Sequence, residues 1–221
     1  MKLEIGEIDS PLGELRFARG SGRLAGLAFA DHWTDVERAL QRRLAPVELC
    51  AARSAGDLAK RLNGYFGGDL AALDAIEIAL CGTPFQIRVW TALRAVRAGT
   101  TTSYGALARE IGAASATRAV GAANGANPIW LVVPCHRAIG ADGRLVGYAG
   151  GVARKRWLLA HESAFAAGQR LVQNSEKRPQ SSGPNLVAEI FAPGGTGTGL
   201  SPSKRWSITP SKSVSSSWRA S

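Results

Sequence analysis

The chain has 221 residues, 45% hydrophobic and 20% charged, which suits one or two domains with a real core and excludes a wholly disordered, fibrous or membrane-embedded protein. Its net charge of +10 is polarised: residues 1–81 carry −2, residues 82–169 carry +7 and residues 170–221 carry +5. Such a concentrated excess suits a partner with a phosphate backbone. Cys50, Cys81 and Cys135 are odd in number and lack CxxC spacing, so no disulfide framework is expected and a reducing compartment is. MKLEIGEIDS lacks the apolar run of a signal peptide, and no apolar stretch nears about 18 residues, so the expectation is a soluble cytoplasmic protein without a membrane partner.

Residues 1–30 read as an antiparallel meander. Leu3 and Ile5 alternate, Asp9-Ser10-Pro11-Leu12-Gly13 turns, Leu15 and Phe17 alternate, and Arg19-Gly20-Ser21-Gly22 turns before Leu24 to Phe29. Val36, Leu40 and Leu44, then Leu58, Leu62, Tyr65 and Phe66, recur at helical spacing and predict two helices packed on a small sheet. A domain boundary is expected near residue 81. Beyond it Thr83 suits an N-cap, Pro84 the first helical turn and Gln86 a capping box, opening a helix through Val96 that stops at Gly99. Ser103 is expected to cap a helix ending at Gly112, and Ser115 a second ending at Gly125. Two short helices across a Gly-containing turn in a basic segment have the pattern of a helix-turn-helix.

The exposed face of the second of these helices is expected to be nearly bare, with Ala113, Ala114, Ala116, Ala119, Gly121, Ala122 and Ala123 around one long polar residue, Arg118. It lacks the several side chains a major-groove reader needs, and it suits either close helix packing or the minor groove. Residues 153–162 predict a further helix. The last 52 residues, 170–221, hold 12 Ser, 5 Pro and 5 Gly without a period and read as a disordered basic tail.

Chemistry concentrates in Asn127-Pro128-Ile129-Trp130-Leu131-Val132-Val133-Pro134-Cys135-His136-Arg137. Ile129 to Val133 has the length of a buried strand, which places Cys135 at the end of a rigid element. His136 and Arg137 follow directly, and a general base or a basic neighbour raises the thiolate fraction of a cysteine. A base needs a third group to orient it, and Glu162 is suggestive because a carboxylate near a helix C-terminus opposes the helix dipole. An exposed Glu in a frayed last turn is the plain alternative. His32, His136, His161 and the cysteines show no metal-ligand spacing.

Gly82-Thr83-Pro84-Phe85-Gln86, Val89-Trp90, Thr102-Ser103-Tyr104, Arg118-Ala119-Val120-Gly121, Ala123-Asn124, Asn127-Pro128, Pro134-Cys135-His136-Arg137, Gly147-Tyr148, Gly150-Gly151 and Lys155 through Trp157-Leu158-Leu159 to His161-Glu162 run in order through residues 82–162. Together they resemble the O6-alkylguanine-DNA alkyltransferases. Asp9-Ser10-Pro11-Leu12-Gly13 and Tyr65-Phe66-Gly67-Gly68 resemble that family's N-terminal domain more loosely. The resemblance implies an α+β chain: a ribonuclease-H-like N-terminal domain (1–81), a mainly helical, winged-helix-like alkyltransferase and DNA-binding domain (82–169), and a tail (170–221).

It further implies direct repair of O6-alkylguanine, and of O4-alkylthymine, in double-stranded DNA by irreversible transfer to Cys135. In that scheme His136 is the base acting through a water, Glu162 orients it, Asn127 holds the supporting turn and Tyr104 donates a proton to the departing guanine. Tyr148, Ala149 and Trp130 would line the base pocket, while Arg118, Ala119 and Gly121 would meet the minor groove. The implied protein is a monomer needing no cofactor or metal. Three departures stand out: Ala114 and Ala149 replace a Pro and a Ser found in other members, and residues 1–31 hold neither Cys nor His for the zinc site some members have. The competing classes are a non-catalytic alkylated-base sensor, an alkylation-responsive DNA-binding regulator and, with no sign of an oxyanion hole, a Cys-His hydrolase.

Overall fold

A computed structural model describes residues 1–176 of the chain, with side chains to residue 167. Strands β1 (Lys2–Ile8), β2 (Leu15–Gly20) and β3 (Arg23–Phe29) form the expected meander, with Glu4 opposite Arg19 and Phe17 opposite Leu27. Helix α1 (Trp33–Leu44) follows. A fourth strand, β4 (Glu48–Ala51), joins β1 in parallel, so the sheet has the order β3-β2-β1-β4 and is mixed rather than purely antiparallel. Four residues with only Leu49 and Cys50 partly covered offer too short an alternation to read as a strand. Helix α1 packs against β3 through Val36 and Leu40, and α2 (Asp57–Phe66) buries Leu58, Leu62 and Tyr65, the periodic sets the sequence presents.

The second half is helical. In α3 (Pro84–Ala95) Thr83 and Gln86 form a reciprocal capping box: Thr83 Oγ1 accepts from the Gln86 amide at 3.3 Å, and Gln86 Oε1 accepts from the Thr83 amide at 3.0 Å. Ser103, in the short strand β5 (Thr102–Ser103), caps α4 (Tyr104–Glu110) by accepting from the Ala106 amide at 3.1 Å. Helix α5 (Thr117–Gly125) departs from expectation, because Ala116 and not Ser115 holds the cap position. The Ala116 amide donates to the Ala113 carbonyl at 2.8 Å, which encloses Ser115 in the preceding turn. Trp90 is fully buried and its Nε1 donates to the Ala123 carbonyl at 2.8 Å, locking α3 to α5. Burial of Trp90, Leu93, Leu107 and Val120 contributes roughly 1.5–3 kcal/mol for each aliphatic side chain.

Strand β6 (Ala138–Ile139) pairs with β5 in parallel, and α6 (Val152–Glu176) runs well past the expected end at residue 162. Residues 170–176 therefore lie in a helix, whereas the expectation of a disordered tail over 177–221 falls outside the described residues. No helix among the described residues is long and apolar enough to cross a membrane.

The edge of β3 pairs with the end of its own half through Leu24 and with the second half through Leu27. Leu24 donates to the Glu77 carbonyl and accepts from Ala79, while Leu27 bridges to Ile129. An open sheet edge is thereby covered by the chain's own later segments. Thr83→Ala, at an exposed position, is expected to lower unfolding free energy by about 1 kcal/mol. Urea denaturation read by circular dichroism checks it.

Candidate active site

The cysteine-bearing segment begins at that covered edge. The Trp130 amide donates to the Leu27 carbonyl at 2.7 Å, and the Leu27 amide donates to the Pro128 carbonyl at 2.9 Å. Beyond Ile129 the backbone does not continue as the expected strand. Leu131 takes a φ of 67°, and the Val133 amide turns back to the Ile129 carbonyl at 2.9 Å. An apolar run enclosed on all sides looks the same in sequence whether extended or coiled. Asn127 holds the coil: its Oδ1 accepts from the Ile129 amide at 3.0 Å and its Nδ2 donates to the Val133 carbonyl at 2.8 Å. Cys135, His136 and Arg137 then form one buried 3₁₀ turn.

Glu162 is fully buried in α6, many residues before the helix ends, so it is not a frayed terminal side chain. Its Oε1 accepts from Tyr65 Oη at 2.9 Å, His136 Nε2 at 3.0 Å and Arg137 Nη2 at 2.7 Å; its Oε2 accepts from Arg137 Nε at 3.0 Å and the Gly99 amide at 3.0 Å. Gly99 has a φ of +74°, and a Cβ there would collide with Ala166, so only glycine brings this amide to the carboxylate. Burial pushes the Glu162 carboxyl up, but His136 and Arg137 outweigh it through hydrogen bonds and charge and hold it well below the usual carboxylate range. An ionised carboxylate only accepts, so His136 Nε2 carries the ring proton and Nδ1 is the basic nitrogen. Nδ1 has no hydrogen-bond partner among the described residues.

Burial pushes the Cys135 thiol up to about 11, against the lowering effects of Asn127 hydrogen bonding and the Lys155 charge. The sequence assigns the basic-neighbour role to Arg137, whose guanidinium is instead occupied by Glu162 and by the Val96 carbonyl. Lys155 supplies the positive charge. Its buried ammonium donates to the carbonyls of Ala138 at 2.6 Å and Val146 at 2.8 Å, anchoring the loop that leads to Tyr148. Burial lowers the His136 imidazole below its ordinary value in spite of Glu162, so thiol and imidazole both rest uncharged at neutral pH.

The remaining expected residues divide. Burial, then the nearby Cys135, raises the phenol of Tyr104 at the start of α4, and the same two influences act on Tyr148, whose buried hydroxyl has no partner among the described residues. Both tyrosines are near enough to Cys135 to feel its charge. Trp130 is buried with its ring 5.5 Å from that of Tyr148 and donates to the Asn127 carbonyl at 2.9 Å, so it packs between that tyrosine and the coil. Ala149 is exposed. Arg118 and Ala119 are exposed on α5 with Gly121 half-buried beside them, on a different element from the thiol turn. Among the described residues no group of three or more His, Cys, Asp or Glu side chains is placed to hold a metal ion.

Sequence reasoning missed Tyr65, Gly99 and the Arg137 pairing at Glu162. Tyr65 and Gly99 are distant in sequence from residue 162, and nothing in their spacing ties them to it. The Tyr65-Phe66-Gly67-Gly68 motif was the one available signal.

Residues 84–164 match the family described as 6-O-methylguanine DNA methyltransferase, DNA binding domain. A methylated-DNA--protein-cysteine methyltransferase of Mycobacterium tuberculosis is 43% identical over 167 residues, covering 72% of this chain and 92% of that protein. This chain is a member of that family. The Salmonella typhimurium methyltransferase is 57% identical over 115 residues, 52% of this chain and 67% of that one. Among solved structures, the Mycobacterium tuberculosis OGT crystallised in complex with DNA is 40% identical with a TM-score of 0.62, covering 75% of this chain and 94% of that one. The O6-methylguanine-DNA methyltransferase of Pyrococcus kodakaraensis is 28% identical with a TM-score of 0.57, covering 72% and 98% respectively. The α/β N-terminal part followed by a helical part with a helix-turn-helix is the architecture of these methyltransferases.

Two acid-linked losses of stability follow from the site. His136 has a lowered folded pKa, so its contribution is complete above its ordinary 6.5 and drains as pH falls through the folded value. Glu162, also lowered, behaves likewise below its ordinary 4.5. Glu162→Gln should cost about 3–5 kcal/mol near neutrality by leaving Arg137 buried without its counter-charge, and should abolish the loss below 4.5. Urea midpoints measured across pH check both.

Proposed function

We propose that this chain repairs alkylated DNA directly, by moving the alkyl group of O6-alkylguanine, and of O4-alkylthymine, onto Cys135. The observation that carries the reading is a buried thiol beside a neutral imidazole whose other nitrogen is tied to a buried, ionised carboxylate. His136 Nδ1 takes the thiol proton through a water, and Glu162 holds the resulting imidazolium by charge and hydrogen bond. The thiolate attacks the alkyl carbon in line, the sulfur–carbon bond forms, and the carbon–oxygen bond breaks with its electron pair passing to the base. Tyr104 donates a proton to the departing guanine, and the imidazolium proton restores the phenol through solvent. The product thioether is a poor leaving group with no following step, so each molecule acts once.

The target carbon lies inside the duplex, so a buried thiol meets it only after the nucleotide has rotated out of the stack. The bare face of α5 suits close approach to the minor groove, with Arg118 filling the space the base leaves. Residues 82–169, at net +7, supply sequence-independent attraction to phosphate. In this reading residues 1–81 form a support domain that covers the reactive segment and completes the carboxylate's donors, and the protein acts as a monomer.

Incubation with duplex DNA bearing O6-methylguanine is expected to add one methyl group to Cys135, seen by intact mass and capped at one per protein. Cys135→Ala should gain none. A lesion bound without any mass change would instead identify a sensor. Arg118→Ala is expected to slow transfer from duplex DNA by at least about ten-fold, since flipping costs a few kcal/mol, and to leave transfer from a free O6-alkylguanine base unchanged. Parallel rate measurements on the two substrates check it.

A further inference from the structure

The Tyr65-Phe66-Gly67-Gly68 stretch is remote in sequence from the thiol turn, yet it is clamped onto the segment of α6 that carries Glu162. The Tyr65 carbonyl accepts from His161 Nε2 at 2.9 Å, and Phe66 lies 6.1 Å from the Trp157 ring. Gly68, at φ +103°, leaves bare the spot against which the Phe165 ring packs. These contacts would hold α2 to α6 with any aromatic residue at position 65. Tyr65 nevertheless brings a hydroxyl into a fully buried site, where an unpartnered polar group costs free energy, and aims it at the one carboxylate oxygen that His136 also uses.

We propose that Tyr65 is a positioning residue for the transfer step: its hydroxyl donates to Oε1 of Glu162, fixing that oxygen and tempering the charge it presents to His136. The proposal rests on the reading above, in which His136 is the base. Glu162 is ionised and can only accept, so the proton of the bond is Tyr65's. Burial, followed by the charge and hydrogen bond of Glu162, holds that phenol well above its ordinary value, so it remains a donor and never competes as a base. The other groups facing His136 are Arg137 and Cys135 of its own turn, Lys155 of α6 and the Tyr148 ring at 6.5 Å. Tyr65 differs from all of these in acting on the imidazole through the carboxylate. With the bond removed, Oε1 carries more charge and stabilises the imidazolium more; with a more acidic phenol, it carries less.

The test is the pH profile of methyl transfer from an O6-methylguanine duplex, measured on the full chain. Tyr65→Phe keeps the ring and its packing, and its acidic limb is expected to move to higher pH by on the order of one unit, a ten-fold change in proton affinity. Fluorinated tyrosine incorporated at position 65 keeps ring and hydroxyl, and its limb is expected to move the other way. Circular dichroism is expected to show both proteins folded; should Tyr65→Phe unfold, the direction of the fluorotyrosine shift decides. Coincident acidic limbs overturn the proposal and leave Tyr65 a packing residue, while the reading of His136 and Cys135 stands. A parent chain that transfers nothing overturns both.

Discussion

Burying a carboxylate out of contact with water costs several kcal/mol unless donors replace its hydration, and Glu162 is such a carboxylate. Donors from four residues satisfy it, and they arrive from separate places: Tyr65 from α2, Gly99 from the loop after α3, and His136 and Arg137 from the thiol turn. None of these partners alone would retain the charge. The site therefore forms only when the sheet-bearing half and the helical half are packed together, and packing is in turn favoured by satisfying the anion. Arg137 extends the constraint to the end of α3 through the Val96 carbonyl.

The same enclosure sets the chemistry. A low-dielectric surrounding disfavours charge on any group inside it, so it raises the Cys135 thiol and lowers the His136 imidazole together. The resting pair is neutral. A cysteine of this kind differs from exposed reactive thiols, which are reactive because a neighbouring charge holds them ionised. In the proposed mechanism proton transfer waits for the substrate, and Glu162 and Lys155 offset the charges that then form. A thiol meant for a single use is well served by being inert until its target enters.

In the proposed reading, holding the substrate and reacting with it fall to different surfaces. Helix α5 presents Arg118 and small residues outward, while its Val120 and Ala123 face the core and its backbone meets Trp90. Asn127 follows α5 directly and knits the coil that ends at Cys135. Asn127 thus ties the end of α5 to the coil before the thiol through hydrogen bonds.

Much of this was legible in the residues themselves. Thr83-Pro84-Phe85-Gln86 announces its capping box because capping is a local matter of side-chain reach, and the amphipathic spacings of α1 and α2 report burial that any core would impose. Pro134-Cys135-His136-Arg137 marks the reactive turn on the same grounds, since neighbours in sequence are neighbours in space. Tertiary structure alone decided the rest. Ile129 to Val133 coils instead of extending because enclosure leaves no alternation to read, and Ser115 loses its cap to a turn closed by Ala113. Arg137 serves Glu162 and not the thiol because the buried carboxylate is ionised and the thiol is not, while Lys155, twenty residues away in sequence, supplies the charge that acts on the thiol. Tyr65 and Gly99 meet Glu162 across 97 and 63 residues. Chemistry that depends on who satisfies a buried anion is set by long-range packing, and sequence spacing carries no record of it.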